Sequence, residues 1–323
     1  VLRVRDNTTV FITGAAGFVG RKLCASLHAR KGWNIVGLSR QTPDEQLARH
    51  LSRSVIADLC DSPDLQSALQ GVDVIVHLAS RVHSMEVGDS LALYRDSNVR
   101  PARHMIREAI KAGVRRFVFI STVKVNGEET NDQPFTGDQR PAPAGPYARS
   151  KMEAEEELMR LAEGTALEVV ILRPPLVYGP GVKANFLSLM GLAARGWPLP
   201  LGSIRNRRSL LHVDNLTEAI VFAATSSGAR NRIFTISDDG AISTPELINK
   251  MSLFMGKKSY LIRFPVRILE WFAGVLGLTK QISRLTVNLE ADNSQFKNET
   301  GWKPVKTTDE GLSETVDWFL SQR

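Results

Sequence analysis

The sequence predicts an α/β fold: a doubly wound parallel sheet with helices on both faces, joined to a smaller mixed α/β C-terminal lobe. Three observations carry this expectation. The apolar run Thr9-Val-Phe-Ile-Thr13 leads directly into Gly14-Ala-Ala-Gly17-Phe-Val-Gly20 and then into a helical pattern through Leu23 and Leu27. Further strand-like runs at residues 35–38, 54–57, 72–77, 117–121 and 169–172 alternate with helical patterns, the rhythm of a parallel sheet buried on both faces. After about residue 173 the rhythm breaks into loops rich in Pro and Gly, which predicts the second lobe. The expected boundaries are 1–172 for the first unit, with 209–238 returning to it, and 173–208 plus 239–323 for the lobe.

Each element has a chemical reading. Glycines at positions 14, 17 and 20 allow a tight turn, close backbone approach to a pyrophosphate and close packing of helix on strand. The helix that follows would face phosphates with unpaired N–H groups, so this segment predicts dinucleotide binding. In such sheets ligands sit beyond the carboxyl ends of the strands. The chemistry-bearing residues fall there: Gly14, Ser39 with Arg40, Asp58, His77-Leu-Ala-Ser80, Ser121-Thr122 and Arg173. Tyr147-Ala-Arg-Ser-Lys151 sets a phenol and an ammonium four residues apart, on one face of a helix. A cation beside a tyrosine favours the phenolate, which suits a general acid or base for carbonyl reduction or alcohol oxidation. A solvated polar helix face is the competing reading of that pair.

Composition agrees with an enzyme. A chain of 323 residues buries a sizeable core, and 43% hydrophobic with 23% charged residues is ordinary for a globular protein. The net charge of +7 speaks to association and solubility, and without an aromatic-rich basic repeat no nucleic-acid partner is expected. Cys24 and Cys60 are isolated and lack metal-ligand spacing, so no metal and a reduced, cytoplasmic setting are expected. No signal peptide is read. The apolar stretch 261–278 is interrupted by Arg263, Pro265, Arg267 and Glu270, which argues against a membrane span. An amphipathic helix packed on the protein is expected there, with loose membrane-surface contact as the lesser alternative.

Taken in order, the landmarks resemble an extended short-chain dehydrogenase/reductase of the sugar-nucleotide epimerase/dehydratase group. They are the glycine loop, Asp58-Leu59, His77-Leu-Ala, Asn98, Ser121-Thr122, Tyr147-x-x-x-Lys151, Arg173-Pro174, Arg208-Ser-Leu-Leu-His-Val-Asp and Gly301-Trp-Lys-Pro. The resemblance implies a Rossmann-like first domain and a homodimer. It implies that Tyr147 exchanges the proton of the sugar hydroxyl, while Lys151 lowers its pKa and holds the nicotinamide ribose. Thr122, 147 − 122 = 25 residues upstream, would hold the reacting oxygen with Ser121 beside it. Cofactor contacts are implied for Gly14, Ala16, Gly17, Phe18, Val19, Gly20, Ser39, Arg40, Asp58, Leu59, Leu78, Ala79, Ser80, Asn98 and Pro174. Asp58 would meet the adenine amino group, an N-cap before Pro63 being its rival role.

Departures from the group's pattern are more discriminating. Relatives that dehydrate their sugar carry Asp and Glu directly after the threonine, where this chain has Val123 and Lys124. Valine has no proton to give and lysine inverts the charge of the base, so dehydration is not expected. Asn126 replaces a common tyrosine before Gly127. At the end of the second strand, Ser39 and Arg40 stand where a carboxylate would meet the ribose of NAD. A guanidinium suits the 2′-phosphate of NADP, so NADP(H) is favoured and NAD(H) remains open; a solvated loop arginine is the plain alternative.

The resemblance further implies a UDP-sugar substrate. Asn185, Leu199 and Leu201 would meet the diphosphate and uracil, Arg208 would clamp the diphosphate and Arg284 would join it. Ser121, Thr122, Lys124 and His83 are expected on the sugar side, although a packed or surface histidine fits His83 equally, and Arg205 and Arg207 fit a solvated charge run. The runs 121–127 and 172–186 look most like a branch from bacterial surface-polysaccharide and O-antigen pathways. That branch includes the reductase that forms UDP-N-acetylquinovosamine from its 4-keto precursor. Reduction of a UDP-4-keto-sugar is therefore the leading expectation, with a 4-epimerase holding NAD tightly as the alternative. A non-catalytic dinucleotide sensor is a second alternative, disfavoured because both Tyr147 and Lys151 are present.

Overall fold

The computed structural model describes residues 7–61, 64–81 and 90–323, with Lys280 described by its backbone alone. Seven parallel strands form the main sheet: β1 (Thr8–Thr13), β2 (Trp33–Ser39), β3 (Arg53–Ile56), β4 (Val74–His77), β5 (Arg116–Ile120), β6 (Glu168–Arg173) and, last in the chain, β9 (Arg232–Thr235). Their order is β3-β2-β1-β4-β5-β6-β9, so the direction of winding reverses between β1 and β4. That reversal opens a crevice at the carboxyl ends of these two strands.

Alternate residues of every strand of this sheet except the mostly exposed edge strand β3 feed two separate cores, as the two-residue period of a strand requires. Val10 and Ile12 of β1 pack with Leu23, Leu216 and Ile220 beneath the Phe18–His28 and Val213–Thr225 helices. Phe11 packs on the opposite face with Met105, Ile106 and Leu158 of the Arg100–Lys111 and Pro146–Ala162 helices. Burial on both faces is what makes these strands read as continuous apolar runs.

The strands foreseen from sequence are present with ends shifted by one or two residues. Beyond residue 173 the chain is more regular than its Pro and Gly content suggests. Two three-residue strands, β7 (Leu176–Tyr178) and β8 (Leu210–His212), pair in parallel as a small second sheet. Strand β9 aligns with β6 from Val170↔Arg232 to Arg173↔Thr235. A third core joins Phe186 and Met190 to Ile248, Met251, Leu312 and Val316, uniting the Ala184–Arg195, Thr244–Phe254 and Thr308–Ser321 helices. The last of these begins with a capping box between Thr307 and Glu310, which satisfies otherwise unpaired N–H groups.

One element differs in kind from its expectation. The Val266–Val275 helix does pack on this third core, through Val266 and Leu269. Yet Ile268, Trp271, Phe272 and Val275 are exposed, and Ala273 is its buried residue. The helix is thus apolar on its outer side as well as its inner one.

Candidate active site

The glycine loop follows β1 without an intervening residue. Gly14 adopts φ +71°, a left-handed conformation open to glycine at no steric cost. A Cβ on it would stand 3.0 Å from the Ala79 backbone nitrogen, so the loops after β1 and β4 approach backbone to backbone. A Cβ on Gly20 would meet the Gly14 carbonyl oxygen at 2.2 Å. Ala16 and Gly17 are exposed above the N-terminus of the Phe18–His28 helix, and Phe18 and Val19 begin that helix half-buried. A bare turn leading into unpaired helix N–H groups fits a pyrophosphate.

The neighbouring strand ends complete this crevice. Ser39, buried, donates its hydroxyl to the Gln41 carbonyl (2.7 Å), while Arg40 is exposed and has no carboxylate partner among the described residues. Asp58 accepts from the Cys60 N–H at 2.9 Å, the capping role weighed against adenine contact. Leu59 is buried, whereas Leu78, Ala79 and Ser80 are half-buried. Pro174 is buried, and its carbonyl accepts from the Val123 N–H at 2.9 Å.

Asn98 lies beneath the crevice, within the scaffold that borders it. Only 1% exposed, it accepts the Arg81 N–H at 2.8 Å and donates to Ser150 Oγ at 3.0 Å. Ser150 donates in turn to the Tyr147 carbonyl at 2.8 Å. The asparagine therefore ties the loop after β4 to the first turn of the helix that carries Tyr147 and Lys151.

That helix, Pro146–Ala162, starts with proline in its first turn, where a missing N–H costs nothing. Tyr147 lies edge-on to Tyr94, with ring centroids 6.0 Å apart. Lys151, 2% exposed, donates to the Ile120 carbonyl at 2.9 Å and stands 4.5 Å from the Phe119 ring centroid. Burial pulls the lysine down to about 7, opposed by the Glu155 charge. Burial, and secondarily Tyr94, pushes the Tyr147 phenol above its ordinary value. This is opposite to the depression expected from sequence, because desolvation penalises the phenolate while the lysine is directed to β5. The two groups' proton affinities move apart as a result.

Under this pair lies His77, fully buried and stacked between Phe117 and Phe119. Its Nδ1 is 3.1 Å from Thr13 Oγ1, and Nε2 has no hydrogen-bond partner among the described residues. Burial, with the Lys151 charge, holds its pKa down at about 3. Thr122 caps the short turn Val123–Val125 by accepting the Lys124 N–H at 3.3 Å. Ser121 Oγ is buried without a hydrogen-bond partner among the described residues.

A bridge of charges leads from here to Arg208. Lys124 pairs with Glu128 at 2.7 Å. Arg208 is lowered by burial, raised by the Glu128 charge and lowered by that of Arg284. Arg208 donates to the Val287 carbonyl at 3.2 Å. Leu199 and Leu201 belong to a loop knitted to the next segment by Leu199 N–H to the Tyr260 carbonyl and Ile262 N–H to the Leu199 carbonyl, both 2.8 Å. Asn185 is exposed at the start of the Ala184–Arg195 helix. His83 lies outside the described residues.

Residues 10–237 match the NAD dependent epimerase/dehydratase family. The chain belongs to that family. A UDP-glucose 4-epimerase of Vibrio cholerae is 37% identical over 97% of this chain and 95% of its own length. An N-acetyl-α-D-glucosaminyl-diphospho-undecaprenol 4-epimerase of Escherichia coli O157:H7 is 26% identical over 97% and 95%. Among solved structures, MoeE5 in complex with UDP-glucose and NAD superposes with a TM-score of 0.77 at 25% identity, covering 97% of this chain and 99% of that one. The protein is therefore a nicotinamide-dinucleotide enzyme of the epimerase/dehydratase type with the extended short-chain dehydrogenase/reductase fold.

Within this family member, several site neighbours were not foreseen. Ser150 stands inside the Tyr-x-x-x-Lys motif and was legible as a polar residue between its two ends. Glu155 holds the buried Arg173 by Nε to Oε1 at 3.0 Å, and Arg173 also reaches Asn126 Oδ1 at 3.2 Å. Asn126, a departure in the motif, is thereby absorbed into the scaffold. Tyr94 and Glu128 gave no local signal.

Proposed function

We propose that this enzyme exchanges a hydride at C4 of a UDP-activated hexose, and that its net reaction is reduction of a UDP-4-keto-sugar by NADPH in surface-polysaccharide sugar synthesis. The observation that carries the reductive direction is Arg40. It is exposed beside Ser39 at the end of β2, without the carboxylate that would accept the ribose hydroxyls of NAD and repel a 2′-phosphate. A 4-epimerase reading is favoured by the 37% identical UDP-glucose 4-epimerase and remains the second reading.

In the proposed reaction, Arg208 and Arg284 hold the diphosphate, with Asn185, Leu199 and Leu201 on the nucleotide side. Thr122 and Ser121 orient the C4 oxygen, the unspent Ser121 hydroxyl being a donor ready for it. A bound nicotinamide supplies the hydride. Tyr147 gives its proton to the C4 oxygen, and Lys151 supports the phenolate left behind. Val123 and Lys124, the latter paired with Glu128, supply neither acid nor base for loss of water. Gly14, Ala16, Gly17, Phe18, Val19 and Gly20 would cradle the pyrophosphate, and Asp58 and Leu59 the adenine.

Residues 1–172 with 209–238 are proposed as the dinucleotide unit, supported by β9 and the Val213–Thr225 helix on the main sheet. The remainder is proposed as the sugar lobe, and a cytoplasmic location is proposed because NADPH and a UDP-sugar are the proposed substrates. A homodimer is proposed through the outer face of the Arg100–Lys111 and Pro146–Ala162 helices and the turn before the first, where Arg95 meets Glu153 and Arg103 meets Glu157, a mixed-sign surface suited to two-fold self-pairing.

The test follows absorbance of NADPH with purified protein and a UDP-4-keto-6-deoxy sugar. Net oxidation supports the reductase, whereas interconversion of UDP-glucose and UDP-galactose, or their N-acetyl forms, without net cofactor change makes it an epimerase. Arg40→Asp is expected to lower the NADPH over NADH preference about ten-fold or more. An unchanged preference removes the cofactor argument.

A further inference from the structure

The outer face of the Val266–Val275 helix is an exposed apolar surface. Ile268, Trp271, Phe272 and Val275 are 44%, 63%, 49% and 68% exposed, and Leu276 just beyond is 66% exposed. Their spacing of i, i+3, i+4 and i+7 places the first four in one stripe. Val266, Leu269 and Ala273 repeat at the same kind of spacing on the inner side. The outer stripe is therefore not needed to hold the helix to its lobe. Trp271 and Phe272 meet edge-on with centroids 4.9 Å apart, forming an aromatic ridge in solvent.

Charge indicates what covers this face. Between residues 257 and 284 the chain carries six basic side chains, Lys257, Lys258, Arg263, Arg267, Lys280 and Arg284, against one acidic residue, Glu270. Lys258, Arg263 and Arg267 are exposed and have no carboxylate within ion-pair distance among the described residues. A second copy of the chain on the same face would set these cations against their own kind, which opposes association. An anionic lipid surface would neutralise them while taking up the apolar stripe. Aromatic rings flanked by arginines suit the boundary between headgroups and acyl chains.

We propose that this helix seats the enzyme peripherally on a bilayer containing anionic phospholipid, with Trp271 and Phe272 inserted at the headgroup level and Arg263 and Arg267 against lipid phosphates. No helix among the described residues is long and apolar enough to cross a membrane, so the attachment is interfacial. The seat adjoins the Thr279–Thr286 helix that carries Arg284, bringing the diphosphate end of the candidate site towards the lipid surface. The proposal does not depend on which sugar is reduced or epimerised.

The experiment is co-sedimentation of the full chain with vesicles of phosphatidylcholine alone and with about one-third phosphatidylglycerol. Binding to the anionic vesicles is expected, weakened about ten-fold or more by 0.5 M salt and by the Arg263→Gln/Arg267→Gln double variant. Trp271→Glu/Phe272→Glu is expected to abolish it while turnover with a soluble UDP-sugar stays within about two-fold; these residues lie on the surface and outside the site, and circular dichroism checks the fold. Absence of binding to anionic vesicles overturns the proposal. So does binding that the Glu variant leaves intact, or a concentration-dependent dimer in wild type that the Glu variant abolishes, since a second copy then covers the face. Loss of vesicle binding with retained turnover separates this proposal from the assignment of the reaction.

Discussion

Lys151 donates to the Ile120 carbonyl oxygen at 2.9 Å, so its cation is anchored to the last residue of β5 and not to the phenol of Tyr147 one turn earlier. The sheet thereby sets the height of the lysine in the crevice, and the helix sets that of the tyrosine. Tyr147→Phe is expected to lower turnover by about 10²–10⁴ with cofactor affinity retained. Lys151→Met is expected to lower turnover similarly and also to weaken cofactor binding. Steady-state kinetics and calorimetric titration of the dinucleotide check both; undiminished turnover in either variant contradicts the roles proposed.

Gly20 tolerates no side chain, since a Cβ would stand 2.2 Å from the Gly14 carbonyl oxygen. Gly20→Ala must therefore shift the loop that fits the pyrophosphate. The expected outcome is a dinucleotide dissociation constant raised about ten-fold or more, equivalent to about 1.4 kcal/mol. Titration of the purified variant measures it, with circular dichroism unchanged.

The buried Arg173–Glu155 pair is expected to matter most when one partner is removed. Glu155→Ala strands a guanidinium whose remaining acceptors are Asn126 Oδ1 and the Gly137 carbonyl. Breaking a buried pair in this way costs about 3–5 kcal/mol. Urea unfolding should show that loss, and Glu155→Gln, which keeps an acceptor, a smaller one.

His77 predicts an acid limb to stability. Its folded pKa of about 3 lies below the unfolded value of about 6.5, so the fold excludes the proton. The associated stability is fully present above the unfolded pKa and is lost as pH falls from there towards the folded one. Between pH 7 and pH 5 the loss from this group is about 2 kcal/mol. His77→Asn should be less stable at pH 7 yet lose that much less over the same interval. His212, held down by burial to about 4, acts in the same direction in both proteins, so the difference between them isolates His77. Equal pH slopes would contradict the prediction.

Legibility followed sequence distance. Five of the first six strands were readable because burial on both faces makes them continuous apolar runs bounded by turns, whereas the edge strand β3 is mostly exposed and opens on Arg53 and Ser54. Strands β7 and β8 have three residues each and β9 opens on an arginine, too short or too polar to present a period. Gly14, Gly20, Tyr147 and Lys151 were readable because one turn or one helix face fixes their separations. Tyr94 beside Tyr147, Glu155 beneath Arg173 and Glu128 near Arg208 meet only through the tertiary fold. The direction of the Tyr147 shift was missed for a related reason: spacing tells which residues neighbour the phenol, whereas desolvation depends on everything else around it.

Arg208 is held by its backbone to two distant segments, exchanging hydrogen bonds with Ile242 and flanked by the bonds between Leu289 and residues Arg207 and Ser209. The candidate anion clamp is consequently a three-stranded splice rather than a loop. A chimera that trades sugar preference with a relative would have to transplant residues 206–209, 242 and 287–289 together. Grafting the arginine-bearing segment alone would leave its guanidinium correctly chosen but wrongly aimed.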